Sequence, residues 1–225
     1  MRAGRPSLAL MFKPQLVAGL IATLALGAQA ADVLDAAISR FVALASYRAT
    51  VRSVGTGGEG QLIRYGYRKP GWVRMAFVRP HAGAVLVYDP GARKVRLWPF
   101  GVGYLPVLTL SPDNALIRGE HGHRVDRSDV GALLANLAAL RDRGSAAPLG
   151  DAAIGEQRVT GVEVKGAGDA NVAGVHRYRV WFARDTLFPA RVESYGVDGQ
   201  AIETVMLEDV ERDVAFPDDF FRPER

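Results

Sequence analysis

Residues 61–99, QLIRYGYRKPGWVRMAFVRPHAGAVLVYDPGARKVRLWP, decide the fold. Their period is two. Ile63, Tyr65 and Tyr67 fall on one face with Arg64 and Arg68 on the other, the alternation of a half-buried strand. After the turn Lys69-Pro70-Gly71, Val73, Met75 and Phe77 oppose Trp72, Arg74 and Ala76. Pro80 ends that strand, because its ring removes a ladder donor. Ala84–Tyr88 is a nearly continuous apolar strand. The turn Asp89-Pro90-Gly91-Ala92 then leads into Lys94–Trp98, where Val95 and Leu97 alternate with Arg96 and Trp98. The result is an antiparallel meander of four strands.

Working outward, Tyr47–Val54 reads as a strand before the glycine-rich turn 55–60, and Asp32–Ala45 as a helix with Asp32 at its N-cap. Beyond the meander, residues 99–127 carry prolines at 99, 106 and 112 and several glycines. This predicts a long irregular segment, which compact domains reserve for lids and binding elements. Ser128–Arg141 predicts a second helix capped by Ser128, with Val130, Leu133, Leu134, Leu137 and Leu140 on one stripe. GSAAPLGDAA (144–153) reads as a linker. Strands resume over Arg158–Lys165. After a flexible tip at 166–174, His176, Tyr178, Val180 and Phe182 share a face opposite Arg177, Arg179 and Trp181. Phe188–Tyr195 and Ala201–Val210 form a hairpin across GVDGQ (196–200), whose Asp-Gly is a strong turn signal.

Residues 1–30 match an export signal: Arg2, Arg5 and Lys13 without an acid, an apolar run Leu16–Gly27, and Ala28-Gln29-Ala30 before the expected cut. The apolar run is shorter than the roughly 20 residues that span a bilayer. The expectation is a soluble periplasmic protein, cleaved after Ala30, with residues 31–225 as one domain. Three of the 28 Lys and Arg residues lie in that leader. The remainder is nearly balanced against 24 Asp and Glu, so no phosphate-tracking surface is expected and nucleic acid is excluded as a partner. With no cysteine, disulfides, thiolate metal sites and a lipid-modified N-terminal cysteine are excluded.

Catalytic signatures are lacking: no G-x-S-x-G elbow and no phosphate-binding glycine loop before a helix. His121 and His123, with Glu120 and Asp126, form the one metal-like cluster. Gly122 between the histidines favours a solvated loop over a metal site. Carboxylate pairs such as Asp218-Asp219 and Glu208-Asp209 read as solvated turns and strand edges. Arg64, Arg68, Arg74, Arg96, Arg177 and Arg179 lie on the less apolar strand faces. They are expected to point to solvent with their stems over apolar surface, the alternative being a convex basic patch for an anionic membrane or an acidic partner.

The order helix, meander, insert with helix, second meander resembles the LolA/LolB-like family of periplasmic lipoprotein carriers, which includes RseB-type sensor domains. Two segments carry the resemblance. One is Arg68–Pro99, with RKPGWVRMAFVRP and AVLVYDPGARKVRLWP. The other is Val180–Phe221, with its D-T-x-x-P corner (Asp185 to Pro189), Asp-Gly hairpin and terminal Pro-Asp-x-x-Phe segment. The resemblance implies an α+β fold: a strongly curved antiparallel half-barrel closed by a few helices over a space that accepts acyl chains. The chain ends at Arg225 without the C-terminal tail of the carriers, and the 99–127 insert has no evident counterpart; both suggest a different cargo.

The expected apolar cavity is lined by Tyr65, Met75, Phe77, Leu86, Leu97, Leu133, Leu137, Tyr178, Val180 and Phe182, and it takes no cofactor or metal. The expected role is a non-enzymatic carrier of lipid or lipoprotein acyl chains, served by an inner- or outer-membrane donor or acceptor protein. The alternatives are a regulatory module that senses lipid or protein for an envelope signalling partner, and a metal-assisted enzyme built on His121 and His123.

Overall fold

The alternating strands extend into one sheet. The computed structural model describes residues 15–55, 60–119 and 122–223. Six strands form its first half: β1 (Ser46–Gly55), β2 (Gln61–Arg68), β3 (Trp72–Arg79), β4 (Val85–Asp89), β5 (Lys94–Trp98) and β6 (Leu108–Leu110). Five form the second: β7 (Gly144–Ile154), β8 (Gln157–Gly166), β9 (Arg177–Ala183), β10 (Pro189–Tyr195) and β11 (Ala201–Arg212). The order β6-β5-β4-β3-β2-β1-β11-β10-β9-β8-β7 is antiparallel throughout. The pairing of β1 with β11 joins the two meanders, and β6 and β7 remain as edges, so the curved sheet does not close.

Register places the inner face. Tyr65, Met75, Leu86, Leu97 and Leu108 are successive cross-strand partners, and so are Val162, Val180, Val192 and Val205 in the other half. Cross-strand rows of this kind are the unit of sheet stabilisation. Against this face lie α1 (Gln15–Ala43) and α2 (Val130–Arg141), which also touch each other. Ala30, Leu34 and Ala37 of α1 and Val130, Leu134, Leu137 and Leu140 of α2 are buried in the shared core. The Arg141 guanidinium donates to the Asp35 carboxylate at 2.7 Å, tying the two helices together at their surface.

Four elements differ from expectation, the first being β6, a short strand paired with β5 inside the segment 99–127 expected to be irregular. Helix α1 starts at Gln15 rather than at Asp32, so Asp32 is a mid-helix residue and not a cap. The alanine- and leucine-rich stretch before it has high helix propensity and nothing to break it. Residues 1–14 of the leader lie outside the described residues, and Gln15–Ala30 is the first half of this helix. The cap of α2 is Asp129, whose carboxylate accepts from the Gly131 and Ala132 amides, while Ser128 is used elsewhere. Residues 144–153 are not a linker but most of β7. Pro148 is tolerated there because β7 is an edge strand paired only with β8, with a bulge after Pro148.

The outer face is not simply solvated. After β11, Asp213 accepts the Ala45 amide and Ser46 donates to the Val214 carbonyl. The chain then crosses to the outer face of the first meander. There Phe216, Phe220 and Phe221 pack with Trp72, Val85, Val87 and Trp98 in a second apolar cluster. Three arginines expected to face water hold this segment. Arg74 donates to the Phe220 carbonyl at 2.6 Å, Arg68 lies over the Phe221 ring, and Arg96, lying over Trp98, reaches the Pro223 carbonyl at 3.5 Å. Such cation–π contacts contribute about 0.5–2 kcal/mol each. Arg177 and Arg179 instead stack on Tyr195, with Arg179 paired to Glu163.

Gly66 lets the terminal segment lie close against β2. A Cβ there would lie 2.7 Å from the Phe220 ring, which is itself stacked on Phe216 with centroids 4.3 Å apart. Gly66→Ala is expected to lower unfolding free energy by about 1–3 kcal/mol, the cost of overpacking. Combining it with Phe220→Ala should cost less than the sum of the single changes, because the second removes the clash created by the first. Urea denaturation of the three variants checks this; strict additivity would show that Phe220 does not rest on Gly66.

Candidate functional site

The helices cover the inner face only in part. Over the first meander the space above the sheet is roofed by residues 115–119 and 122–128 of the insert, and two adjoining hollows remain beneath and beside them. The larger, about 440 Å³, has Met75, Phe77, Leu86 and Leu97 as its floor and Leu116, Ile117 and Val125 as its roof. The smaller, about 240 Å³, lies between α2 and the centre of the sheet. It is walled by Val51, Tyr65, Leu133, Tyr178, Val205 and Leu207. Both are lined by Gln61, Ile63, Met75, His123, Ser128 and Glu203. The cavity is therefore two apolar compartments meeting at a mostly polar waist.

Of the residues expected to line a cavity, Met75, Phe77, Leu86 and Leu97 border the larger compartment. Tyr65, Met75, Leu133 and Tyr178 border the smaller. Leu137, Val180 and Phe182 do neither: all three are almost fully buried in the core between helices and sheet. The polar waist was not anticipated. A signal for Glu203 does exist, since it shares a period-two face with Val205 and Leu207, an acid in an otherwise inward apolar row. His123 stands on the insert, whose path over the sheet no local pattern encodes.

The waist holds the roof to the floor. His123 Nε2 lies 2.9 Å from Glu203 Oε2, joining positions 80 residues apart. The carboxylate side chain is only 14 % exposed while the imidazole is half-exposed. Ser128 donates to the Val125 carbonyl at 2.8 Å, so the Tyr65 phenol is the donor in its 3.0 Å bond to Ser128. Within the insert, Arg124 clasps the Asp126 carboxylate with two bonds and also reaches Asp113. That pairing holds the Asp126 carboxyl below the usual range.

At the root of the insert, the Tyr47 hydroxyl accepts the Val130 amide at 3.1 Å. Its ring stacks on Tyr65 and Tyr67 and meets Phe188 edge-on. Burial raises every phenol of this wall, Tyr67 and Tyr178 to about 12, so the wall is uncharged at neutral pH. Burial also raises the Asp129 carboxyl, against the lowering effect of the two amides it caps.

Such an arrangement suits sequestration of an apolar ligand with a hydrogen-bonding feature at its junction. The Ser128 proton is committed to a backbone carbonyl. Of the metal-like cluster, Glu120 and His121 lie outside the described residues, while His123 faces Glu203 and Asp126 faces Arg124. Among the described residues no three His, Cys, Asp or Glu side chains converge as a metal site. Nor, among them, is any helix long and apolar enough to cross a membrane.

No family model matches the sequence, and no curated protein matches it either. Solved structures do. An uncharacterized conserved protein from Thermus thermophilus superposes with a TM-score of 0.53 at 12 % identity, over 88 % of this chain and 94 % of that one. The Mycobacterium tuberculosis lipoprotein LppX superposes with a TM-score of 0.50 at 12 % identity, over 82 % and 96 %. A LolA superfamily protein from Nitrosomonas europaea aligns over 85 % and 96 % at 15 % identity, with a TM-score of 0.35. The architecture, an unclosed curved antiparallel sheet with two helices on one face, is the fold shared with the Thermus thermophilus protein and LppX.

The waist generates a pH prediction. The hydrogen bond to Glu203 raises the His123 pKa above its usual 6.5, against desolvation, which lowers it. A raised folded-state value means the pair stabilises the roof fully below pH 6.5 and loses that contribution as pH rises through the folded pKa. An NMR titration should place His123 above 6.5 in the parent protein and lower in Glu203→Gln. Unchanged midpoints would show that Glu203 does not govern it. Amide protection factors, corrected for the intrinsic pH dependence of exchange, should fall at alkaline pH in residues 115–119 and 122–128 of the parent and be low at every pH in the variant.

Proposed function

We propose that this chain is an exported, soluble periplasmic carrier that sequesters the acyl chains of a lipid or lipoprotein and does no chemistry on them. The observation that carries this reading is the two-compartment apolar cavity between the inner sheet face, α2 and the insert. The leader is cut after Ala30, and residues 31–225 act as one domain. Cleavage leaves Leu34, Ala37 and Leu44 in place to pack on the sheet. Binding is driven by removal of methylenes from water, about 0.8 kcal/mol for each one buried. Release requires the insert to lift, which the His123–Glu203 contact opposes. The waist takes the polar junction of the cargo. A donor or acceptor protein in the inner or outer membrane completes the cycle.

The test is native mass spectrometry of the protein purified from periplasm, followed by solvent extraction. The expected outcome is a mature mass beginning at Ala31 with a phospholipid or acylated peptide bound. Met75 borders both compartments, so Met75→Trp should cut uptake of a fluorescent fatty acid about tenfold or more. Its melting temperature should stay within a few degrees of the parent. A ligand-free protein that takes up no added lipid would overturn the reading.

A further inference from the structure

The larger compartment is bordered by Pro80, His81, Ala84, Pro99 and residues 116–119, which belong to three segments near one end of the sheet: 78–84 from the end of β3 to β4, 99–107 between β5 and β6, and 115–119 in the roof. Five of the nine exposed large hydrophobic side chains among the described residues are here: Val78, Phe100, Tyr104, Leu105 and Leu116. Their exposure is built in. The 99–107 loop is anchored by Trp98, which is fully buried, and by Val102 and Val107, which pack on the outer-face cluster. Two successive turns, Gly101 amide to Trp98 carbonyl and Tyr104 amide to Gly101 carbonyl, then direct the remaining residues outward. Gly101, at φ +99, supplies a backbone conformation that a side chain would strain. The loop also touches its neighbour, since a Cβ on Gly101 would lie 3.3 Å from the Gly83 carbonyl oxygen.

The charge of the rim is one-sided. The three segments contain Arg79, Arg118 and His81 and no aspartate or glutamate. Asp113, which follows the second segment in the chain, pairs with Arg124, and Glu203, which lines the compartment, pairs with His123. Aromatic and leucine side chains mixed with arginine, around an apolar opening, match the headgroup boundary of a bilayer, where tyrosine and arginine keep their polar ends wet.

We propose that this end of the protein docks directly on an anionic lipid bilayer, with Phe100, Tyr104, Leu105 and Leu116 entering the headgroup region and Arg79 and Arg118 pairing with lipid phosphates. The opening of the larger compartment then meets the membrane, and an acyl chain passes between the two without crossing water. The docking itself does not depend on the carrier reading; only its purpose does.

The experiment is cosedimentation of the protein purified from periplasm with phosphatidylcholine vesicles, with and without phosphatidylglycerol. Three variants accompany it: Phe100→Ser/Tyr104→Ser/Leu105→Ser, Arg79→Gln/Arg118→Gln, and Val42→Ser/Leu149→Ser as an exposed apolar control elsewhere on the surface. Binding to anionic vesicles is expected, weakened about tenfold or more by the triple variant. The arginine variant should lose about tenfold and most of the salt dependence, and the control should match the parent. The triple variant and the control, whose changed residues line neither compartment, should take up a soluble fluorescent fatty acid normally. Vesicle binding without fatty-acid uptake by the parent would overturn the carrier reading and leave the docking intact. No vesicle binding, equal loss in the control, or binding indifferent to the arginines would overturn the docking.

Discussion

The Tyr47 side chain is the point on which the inner side of this protein is organised. Its hydroxyl accepts the Val130 amide, and its ring lies among Phe41, Tyr65, Tyr67 and Phe188. The first amides of a helix have no partner within the helix. Buried beside apolar rings they need one, and here the sheet itself supplies it. This contact pins the start of α2 to β1, and the insert runs into that point, so the roof inherits its position from the sheet. Asp129 and Ser128 complete the junction, one capping the helix and the other bridging roof to β2.

Why a cavity forms follows from lengths. Helix α2 has 12 residues, about 18 Å of cover at 1.5 Å per residue, while the sheet spans eleven strands at about 4.8 Å spacing. One short helix and the packed part of α1 cannot fill the inner face. The core is dense where the helices touch β7 and β8, and Leu137 of α2 and Val162 and Val164 of β8 are almost fully buried there. Toward β3–β5 the cover passes to an irregular segment with few large side chains, and the space stays open. The outer face solves its own problem differently, by laying the terminal phenylalanines over the tryptophans of β3 and β5.

Much of this was legible in the alternation. The strands of both meanders, the turns between them and the inward row from Tyr65 to Leu97 follow from side-chain period and turn chemistry, because those are local properties. β7 was not legible. Its composition of alanine, glycine and proline has low strand preference, and pairing with β8 overrides it. The helix cap shifted by one residue from Ser128 to Asp129, since either side chain suits a cap and only the bond from Tyr65 to Ser128 decides between them. The arginines of the first meander were read as solvent-facing because no local signal tells that the last residues of the chain return to cover them.

By itself the sequence determined the class of the molecule: an antiparallel α+β fold with an inward aromatic face, no thiol chemistry and no catalytic signature. Period, punctuation and composition are carried by neighbouring residues. The tertiary structure alone decided that the inner face holds two compartments rather than a filled core. It also decided that His123 meets Glu203 at the waist between them and that Phe220 lies on Gly66. Each of these joins residues 80 or more positions apart. Such contacts are set by how far the helices reach and where the insert and the C-terminal segment cross the sheet, quantities that no local pattern contains.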